Sequence, residues 1–335
     1  YQIFCEIRDQ FTGAIQRLQA TAAAIARADA LYSLAEAAAV GRHARPGIDG
    51  DGELIIKDGR HPVLEQVLRE KFVPNDTIMD NQKSRLVMIT GPNMAGKSTY
   101  MRQVALIIMM AQSGSFVPAA SAQIPLVDRI FTRVGAADDL ATGQSTFMME
   151  MNECRAIVQG ATKRSLIIMD EVGRGTSTYD GISIARALVE YIHTRIGAKT
   201  LFSTHYHELT DLDQIEGIVN YNVAVKEDGE NIVFLRKVVA GKSDRSYGIH
   251  VARLAGLPDE IVKRATAVLR GLETGEGAVE AAACRESSHE KEAVALHERE
   301  QALIQKLRRL NVLSMTPLEA LNQLYHLQQE LKTDF

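Results

Sequence analysis

The feature that most constrains this chain is a glycine-rich segment at residues 91–98, with the sequence GPNMAGKS. An apolar run at 86–90 precedes it and predicts a buried strand, and the pattern that follows at 98–113 predicts a helix. A G-x-x-x-x-G-K-[ST] spacing between a strand and a helix predicts a loop whose backbone N–H groups surround phosphate oxygens. The alternative is a glycine-rich turn without a ligand.

Each part of this segment has a role in the predicted phosphate site. Lys97 would reach the β- and γ-phosphates, the Ser98 hydroxyl would bind Mg²⁺, and the helix N-terminus would add partial positive charge. The predicted ATP-binding residues here are Gly91, Pro92, Asn93, Met94, Ala95, Gly96, Lys97, Ser98 and Thr99.

Two acidic residues, Asp170 and Glu171, end a second apolar run at 166–169. In a Walker B strand of this kind, Asp170 would hold Mg²⁺ and Glu171 would orient or deprotonate the attacking water. Strands that end in carboxylates are common, so this pair alone does not indicate a nucleotide site. It indicates one only in combination with the glycine-rich segment. The adjacent Glu171 favours hydrolysis over transfer to another substrate.

A histidine, His205, follows a third apolar run at 200–204. It would sense a γ-phosphate in one interpretation, and it would simply pack at a strand end in the other. His205 and His207 also suggest a metal pair, but no third ligand stands at a recognisable spacing.

Strand-like runs and helical patterns alternate over residues 53–210, which predicts an α/β fold with a largely parallel sheet. Further helices are predicted at 146–161 and 181–196, and a hairpin at 218–225 and 231–238 with Asp228-Gly229 in its turn. Residues 1–40 predict a helix that the chain enters without a capping residue, as a longer helix would if it were cut.

The last hundred residues predict helices separated by a linker. Two short helices are expected at 247–255 and 258–271, a linker follows, and further helices are expected at 293–310 and 317–331. Thr316, Pro317 and Glu319 form a capping box at the start of the last helix. Its apolar face suits either a partner or local packing on 293–310, and comprises Leu318, Leu321, Leu324, Tyr325 and Leu327.

Composition excludes several classes of protein. The net charge of −4, from 38 basic and 42 acidic residues, argues against a large basic face for nucleic acid. Cys5, Cys154 and Cys284 fit neither a disulfide framework nor a metal spacing, which favours a reducing cytoplasm. The sequence contains neither a signal-peptide pattern nor an apolar stretch that could span a membrane.

Taken together, these segments resemble the MutS family of DNA mismatch-repair ATPases. The likeness covers roughly residues 1–270 and returns at 316–331, with Ala95 standing where the family commonly has glycine. Besides the three segments above, it rests on residues 59–62, 72–76, 143–151, 171–181, 246–252 and 254–258. Phe4-Cys5-Glu6 has the letters of the F-x-E triplet expected in the mismatch-reading domain of this family. It lies in the predicted amino-terminal helix, so we interpret the match as a coincidence.

The resemblance implies an ABC-type ATPase with a composite site. Two subunits pair, and Ser145 of one would contact the γ-phosphate bound to the other. Residue type alone favours a plain helix cap for Ser145, and the resemblance favours the contact with the phosphate. Asn93 would sense the γ-phosphate. Phe72 would stack on adenine and Arg236 would cover its other face, and burial in the core is the alternative for both.

The function implied by the resemblance is coupling of ATP binding and hydrolysis to mismatch recognition and sliding-clamp formation. ATP or ADP with Mg²⁺ would be the ligands, and the partners would be a second subunit, MutL and, in the longer protein, mismatched duplex DNA. The C-terminal helices would extend the homodimer to a tetramer. Alternatives are a paralogue in recombination control and a dimerisation module without turnover, whereas an ABC transporter lacks support because no L-S-G-G-Q segment is present.

The predicted domain organisation has five parts. Residues 1–42 would be the end of lever helices, 43–240 the P-loop ATPase domain, 241–271 a helix-turn-helix dimer contact, 272–291 a linker and 292–335 a helical oligomerisation module.

Overall fold

The computed structural model describes residues 1–50, 52–68, 70–92, 95–135, 146–228, 231–242 and 247–274, and also Thr316, Leu318, Leu321, Asn322 and Tyr325. The chain divides into two compact units, Tyr1–Val251 and Ala252–Phe335. The five predicted domain ranges remain predictions.

Strands and helices alternate through most of the first unit. The strands are β1 (Gly47–Asp49), β2 (Leu54–Gly59), β3 (Asn75–Met79), β4 (Ser84–Thr90), β5 (Ser121–Pro125), β6 (Ile130–Arg133), β7 (Leu166–Asp170), β8 (Lys199–Ser203), β9 (Gly217–Asp228) and β10 (Asn231–Ala240). The α-helices with described bounds are α1 (Gln2–Thr12), α2 (Ile15–Val40), α3 (Leu64–Val67), α4 (Lys97–Gln112), α5 (Thr146–Gly160), α6 (Thr178–Tyr191), α7 (Gly248–Leu254) and α8 (Asp259–Thr274). A π-helical turn, Ile192–Ile196, extends α6, and a 3-10 helix, His207–Gln214, follows β8.

A six-stranded sheet in the order β10-β9-β4-β8-β7-β6 forms the centre of the first unit. Strands β9, β4, β8, β7 and β6 run parallel, and β10 pairs antiparallel with β9. The largely parallel sheet and the hairpin predicted from the sequence are therefore confirmed.

Strand β4 is buried on both faces of this sheet, and its successive side chains point alternately to the two faces. Val87 and Ile89 of β4 pack in one apolar cluster with residues of α4 such as Met101. Leu86 and Met88 pack in a second cluster with residues of α6 such as Ala185 and Val189. Burial on both faces explains why residues 86–89 of β4 form a continuous apolar run in the sequence.

A second, four-stranded sheet in the order β1-β5-β2-β3 was not predicted. Strand β2 pairs antiparallel with β3 and with β5, and β1 pairs parallel with β5. The pairing Ile55↔Gln123 joins strands that are far apart in the sequence. The periodicity of neighbouring residues carries little information about such long-range pairing, so this sheet could not be predicted from it.

The amino-terminal helix is divided, where a single helix was expected. Helices α1 and α2 are separated at Gly13 and Ala14. Glycine is a poor helix former, which accounts for the position of the break. Within the two helices only Ala38 is buried, so their apolar side chains lie on the surface of the chain.

In the second unit, α8 begins directly after Pro258, as the predicted helix there required. The linker was predicted to begin at residue 272, but residues 272–274 are still helical, because α8 continues to Thr274. The rest of the linker, the helix at 293–310 and the capping-box residues Pro317 and Glu319 lie outside the described residues. Leu318, Leu321 and Tyr325 are helical and more than half exposed. Within the described part of the chain, no helix is both long and apolar enough to cross a membrane.

Candidate active site

The sheet brings the three sequence-distant candidate segments to one edge. Strands β4, β8 and β7 are neighbours, with Ile89 and Asp170 both paired with Ser203. Because the strands are parallel, the residues that follow them meet at the same carboxyl edge. Gly91, Glu171 and His205 therefore lie at one edge, although Glu171 is 80 positions and His205 is 114 positions after Gly91 in the sequence.

The glycine-rich segment joins β4 to α4, in the order that the sequence predicted. Gly91 and Gly96 have φ angles of 133° and 103°, a region that glycine adopts without the cost borne by other residues. Asn93 and Met94 lie outside the described residues. The strand, loop and helix are thus in place, and phosphate binding by this loop remains a prediction.

Lys97, the first residue of α4, points back into the loop. Its Nζ donates to the Gly91 carbonyl at 2.6 Å and to the Pro92 carbonyl at 3.2 Å. Burial lowers the Lys97 pKa to about 8, against the opposing effect of the Glu171 and Asp170 carboxylates. Lys97 therefore loses its proton at a much lower pH than an exposed lysine would.

Asp170 is buried at the end of β7, where the Ser203 hydroxyl donates to its Oδ1 atom. Ser98 is partly exposed in the first turn of α4. A carboxylate and a hydroxyl are oxygen ligands of the kind that Mg²⁺ prefers. The two residues therefore supply suitable donors for the predicted metal.

Glu171 lies at the centre of the charged groups. Its backbone has a φ of 57°, and its N–H donates to the Ser203 carbonyl at 3.1 Å. His205 Nε2 hydrogen-bonds to its Oε1, Arg174 Nη1 lies 2.5 Å from its Oε2, and Lys97 Nζ lies 3.9 Å from its Oε1.

These neighbours set the ionisation of Glu171. Burial alone would raise the pKa of its carboxyl group. The hydrogen bond and charge of His205, followed by the charges of Arg174 and Lys97, outweigh burial and hold the pKa below its ordinary value. Glu171 is therefore ionised at neutral pH, as a base or water-orienting group must be.

The segment after β8 completes the edge. Thr204 N–H donates to the Ile89 carbonyl at 3.1 Å, and the Tyr206 hydroxyl donates to the Gly173 carbonyl at 2.9 Å. A cavity of about 390 Å³ lies beside it, with a lining that includes Gly91, Pro92, Arg174, Thr204 and His205. His205 thus contacts Glu171 and lines the same cavity as Gly91 and Pro92 of the glycine-rich loop.

Three contributors to this edge were missed by reasoning from the sequence. Arg174 and Tyr206 contact Glu171 and Gly173, and Ser203 contacts Asp170. Arg174 and Ser203 stand inside the quoted segments, but residue type alone did not show what they contact.

Phe72 and Arg236 line one cavity of about 220 Å³, together with Gly96 and Thr99. The pairing of β10 with β9 shifts register between Phe234 and Val238, and Arg236 within this bulge has a φ of 53°. The two residues predicted to hold the base therefore face the same space, next to the glycine-rich loop.

Asn75 fixes the backbone of this bulge. Its Nδ2 donates to the Arg236 carbonyl at 3.0 Å, and its Oδ1 accepts from Val238 N–H at 2.8 Å. Asn75 therefore places Arg236 at the cavity, a role that the sequence did not indicate.

Ser145 lies outside the described residues, and α5 begins at the next residue, Thr146. A cavity of about 400 Å³ has the first residues of β7 and β8, Leu166 and Lys199, in its lining. These residues lie at the opposite edge of the sheet, and none of the predicted site residues lines this cavity.

Comparison with known proteins identifies the family. The family model described as MutS domain V matches residues 87–273. The DNA mismatch repair protein MutS of Pelotomaculum thermopropionicum is 67% identical over 331 residues, 98% of this chain and 38% of the relative. The proteins of the same name from Acetivibrio thermocellus and Symbiobacterium thermophilum are 52% and 53% identical, over 99% of this chain and 39% of each relative.

The chain therefore spans about two fifths of the length of these curated relatives. The matched residues include the glycine-rich loop, Asp170, Glu171 and His205. The identities are high and extend over nearly all of the chain. This chain belongs to the MutS family and corresponds to its C-terminal part.

Proposed function

We propose that this chain binds ATP with Mg²⁺ and hydrolyses it, as the ATPase region of a DNA mismatch-repair protein. The observation that supports this most is the ionised Glu171 carboxylate, held by His205 and Arg174 at the sheet edge that also carries Lys97. An ionised carboxylate beside a phosphate-binding lysine suits attack by water on a phosphoryl group.

Lys97 is the main cation for the phosphates in this proposal. Its ammonium group would leave the Gly91 and Pro92 carbonyls and donate to β- and γ-phosphate oxygens. The backbone N–H groups of residues 91–98 and the N-terminus of α4 would contribute further positive potential. Phe72 and Arg236 would hold adenine from its two faces.

Ser98 and Asp170 would hold Mg²⁺, which when bound neutralises charge on the phosphates. Ser203 keeps Asp170 in place through its hydroxyl. Glu171 would take a proton from water as the water oxygen attacks the γ-phosphorus. The bond from that phosphorus to the β–γ bridging oxygen would break, and ADP would leave with the electron pair of that bond. His205, hydrogen-bonded to Glu171, would fix the direction of the carboxylate and sense the γ-phosphate.

The site is completed by a second subunit in this proposal, with Ser145 of the partner donating to the γ-phosphate. The start of α5 at Thr146 supports it, because the N-terminus of this helix would face the phosphate together with Ser145. Exposed Leu318, Leu321 and Tyr325 suit higher assembly of homodimers to tetramers, and packing on residues 293–310 remains the alternative.

In the longer protein, ATP binding and hydrolysis would couple mismatch recognition to formation of a sliding clamp that recruits MutL. The names of the relatives support mismatch repair as the setting. Mismatched duplex DNA would be bound by the portion of such a protein that this chain does not span. A bacterial cytoplasmic location, close to the nucleoid, follows from this role.

Equilibrium dialysis and steady-state hydrolysis test the proposal. The chain should bind ATP with Mg²⁺, and Glu171→Ala should retain binding while turnover falls at least about tenfold, the usual scale for loss of a general base. Glu190→Ala on α6 is the control, because this partly exposed carboxylate contacts Arg186 rather than the sheet edge. Binding without turnover in the unaltered chain would instead support a dimerisation module.

A further inference from the structure

A buried carboxylate outside the predicted site, that of Glu150, accepts a hydrogen bond from the loop that follows Glu171. Glu150 of α5 is 3% exposed, and its Oε1 accepts a hydrogen bond from Gly173 N–H at 2.5 Å. Its Oε2 accepts from Arg133 Nη2 at 2.9 Å. One side chain therefore connects α5, the end of β6 and the backbone two residues after Glu171.

The Gly173 backbone also contacts two other parts of the chain. Its carbonyl accepts from Tyr206, and a Cβ atom added to it would lie 2.6 Å from the Gly181 carbonyl oxygen. Its φ of 94° is open to glycine and costly for other residues. The Gly173 peptide is thus clamped between α5, the start of α6 and the segment that carries His205.

We propose that Glu150 is a positioning residue that sets the place of the Glu171 carboxylate by holding Gly173 N–H. The inference rests on the proposed ATP hydrolysis and adds a residue that touches neither the nucleotide nor the water.

The physical basis is that Glu150 binds the backbone of Gly173, only two residues after Glu171. Hydrogen bonds from backbone N–H to a buried carboxylate are stronger than neutral ones, because the low local dielectric increases the attraction. Glu171 has its own backbone in the left-handed region, two residues before Gly173. When Gly173 is released, the φ and ψ angles between the two residues relax, and the carboxylate moves away from Lys97 and His205. Because Glu150 lies on α5, a displacement of this helix would also shift Gly173 and, through it, Glu171.

The chain offers a matched control for this test. Glu153 lies one turn further along α5, and its Oε2 lies 3.3 Å from Arg133 Nε. Glu150→Gln and Glu153→Gln each remove one negative charge next to Arg133, but only the first residue reaches Gly173. Glu150→Asp is a second variant, which keeps the charge beside Arg133 and shortens the side chain by one methylene.

Turnover and affinity are measured separately for the three variants. Glu150→Gln and Glu150→Asp should each lower kcat by about tenfold while ADP affinity and the melting temperature change little, and Glu153→Gln should lower kcat less than twofold. Equal turnover of the Glu150 and Glu153 variants would overturn the positioning role, and so would parallel losses of kcat, ADP affinity and thermal stability. An unaltered chain that does not hydrolyse ATP would instead contradict the proposed function.

Discussion

The two ends of the candidate nucleotide site differ in how they hold charge. At the phosphate end, the side chains of Lys97 and Glu171 are 3% and 22% exposed, and each contacts several groups. At the base end, the Arg236 side chain is 52% exposed, and its ion pair is a 3.9 Å contact with Glu70, which is 82% exposed.

This difference predicts where the affinity and the chemistry reside. Charges in a buried, low-dielectric setting interact strongly, whereas exposed charges are screened by water and contribute little. Substitutions at the phosphate end should therefore have large effects and those at the base end small ones. The following experiments test that order, beginning with the largest expected effect.

Lys97→Ala should weaken ATP binding on the order of 100-fold, because it removes two or more hydrogen bonds from a charged donor to phosphate oxygens. Isothermal titration calorimetry with ATP and Mg²⁺ measures the loss. Lys83→Ala is the control, since Lys83 is exposed in the turn between β3 and β4. A loss of ATP affinity below about threefold would show that Lys97 does not bind the phosphates, and it would contradict the proposed difference between the two ends of the site.

Ser145→Ala should lower hydrolysis by about 10- to 100-fold, as expected when a hydrogen bond to a charged phosphate is lost. Mixed dimers show where Ser145 acts. One subunit of the mixed dimer carries both Ser145→Ala and Lys97→Ala, and the other subunit is unaltered. The site of the unaltered subunit keeps its own Lys97 but lacks Ser145 from the opposite subunit. Turnover at this site should therefore fall. Normal turnover in that dimer would refute a composite site.

Raising the pH from 7 to 9 should weaken ATP binding by about tenfold, because a group with a pKa near 8 changes from mostly protonated to mostly neutral over this interval. The sign follows from burial, which lowers the Lys97 pKa and brings its deprotonation into this range. Lys97→Arg keeps its charge at both pH values, so its affinity should vary much less. Identical pH profiles for the two proteins would contradict the assignment to Lys97.

Arg236→Ala should weaken ATP binding only about two- to fivefold, the effect of a cation–π contact at a partly exposed position. Calorimetry at two salt concentrations measures it, and Arg236→Lys should recover part of the loss. A larger loss than that of Lys97→Ala would reverse the proposed order of the two ends. An unchanged affinity would show that Arg236 does not contribute to adenine binding, which would then depend on Phe72 and the neighbouring residues.

Much of the fold around the site could be predicted, because the controlling signals are local. Strands β4 and β7 each contain a continuous run of four apolar residues, 86–89 and 166–169, and the glycine-rich segment separates β4 from α4. The sheet of β1, β5, β2 and β3 was missed, because its short strands pair across long stretches of chain. The break between α1 and α2 was missed as well, because one glycine weakens a helix without always ending it.

The candidate site shows the same division. Lys97, Asp170, Glu171 and His205 were singled out from their residue types and from the strands before them, and the structure brings them to one edge. Their roles in catalysis remain predictions. Ser203, Asn75 and Glu150 were not singled out, since their partners are residues 33, 161 and 23 positions away.

The sequence by itself determined the order of strand, loop and helix and the chemical groups available at each strand end. These depend on interactions between near neighbours, such as the freedom of glycine and the periodicity of apolar side chains. Only the tertiary structure decided which charges meet. Sheet order places β8 between β4 and β7, and this arrangement gives Glu171 its cationic neighbours and buries Lys97. Electrostatic effects depend on distance and burial in three dimensions, and the linear sequence encodes neither directly.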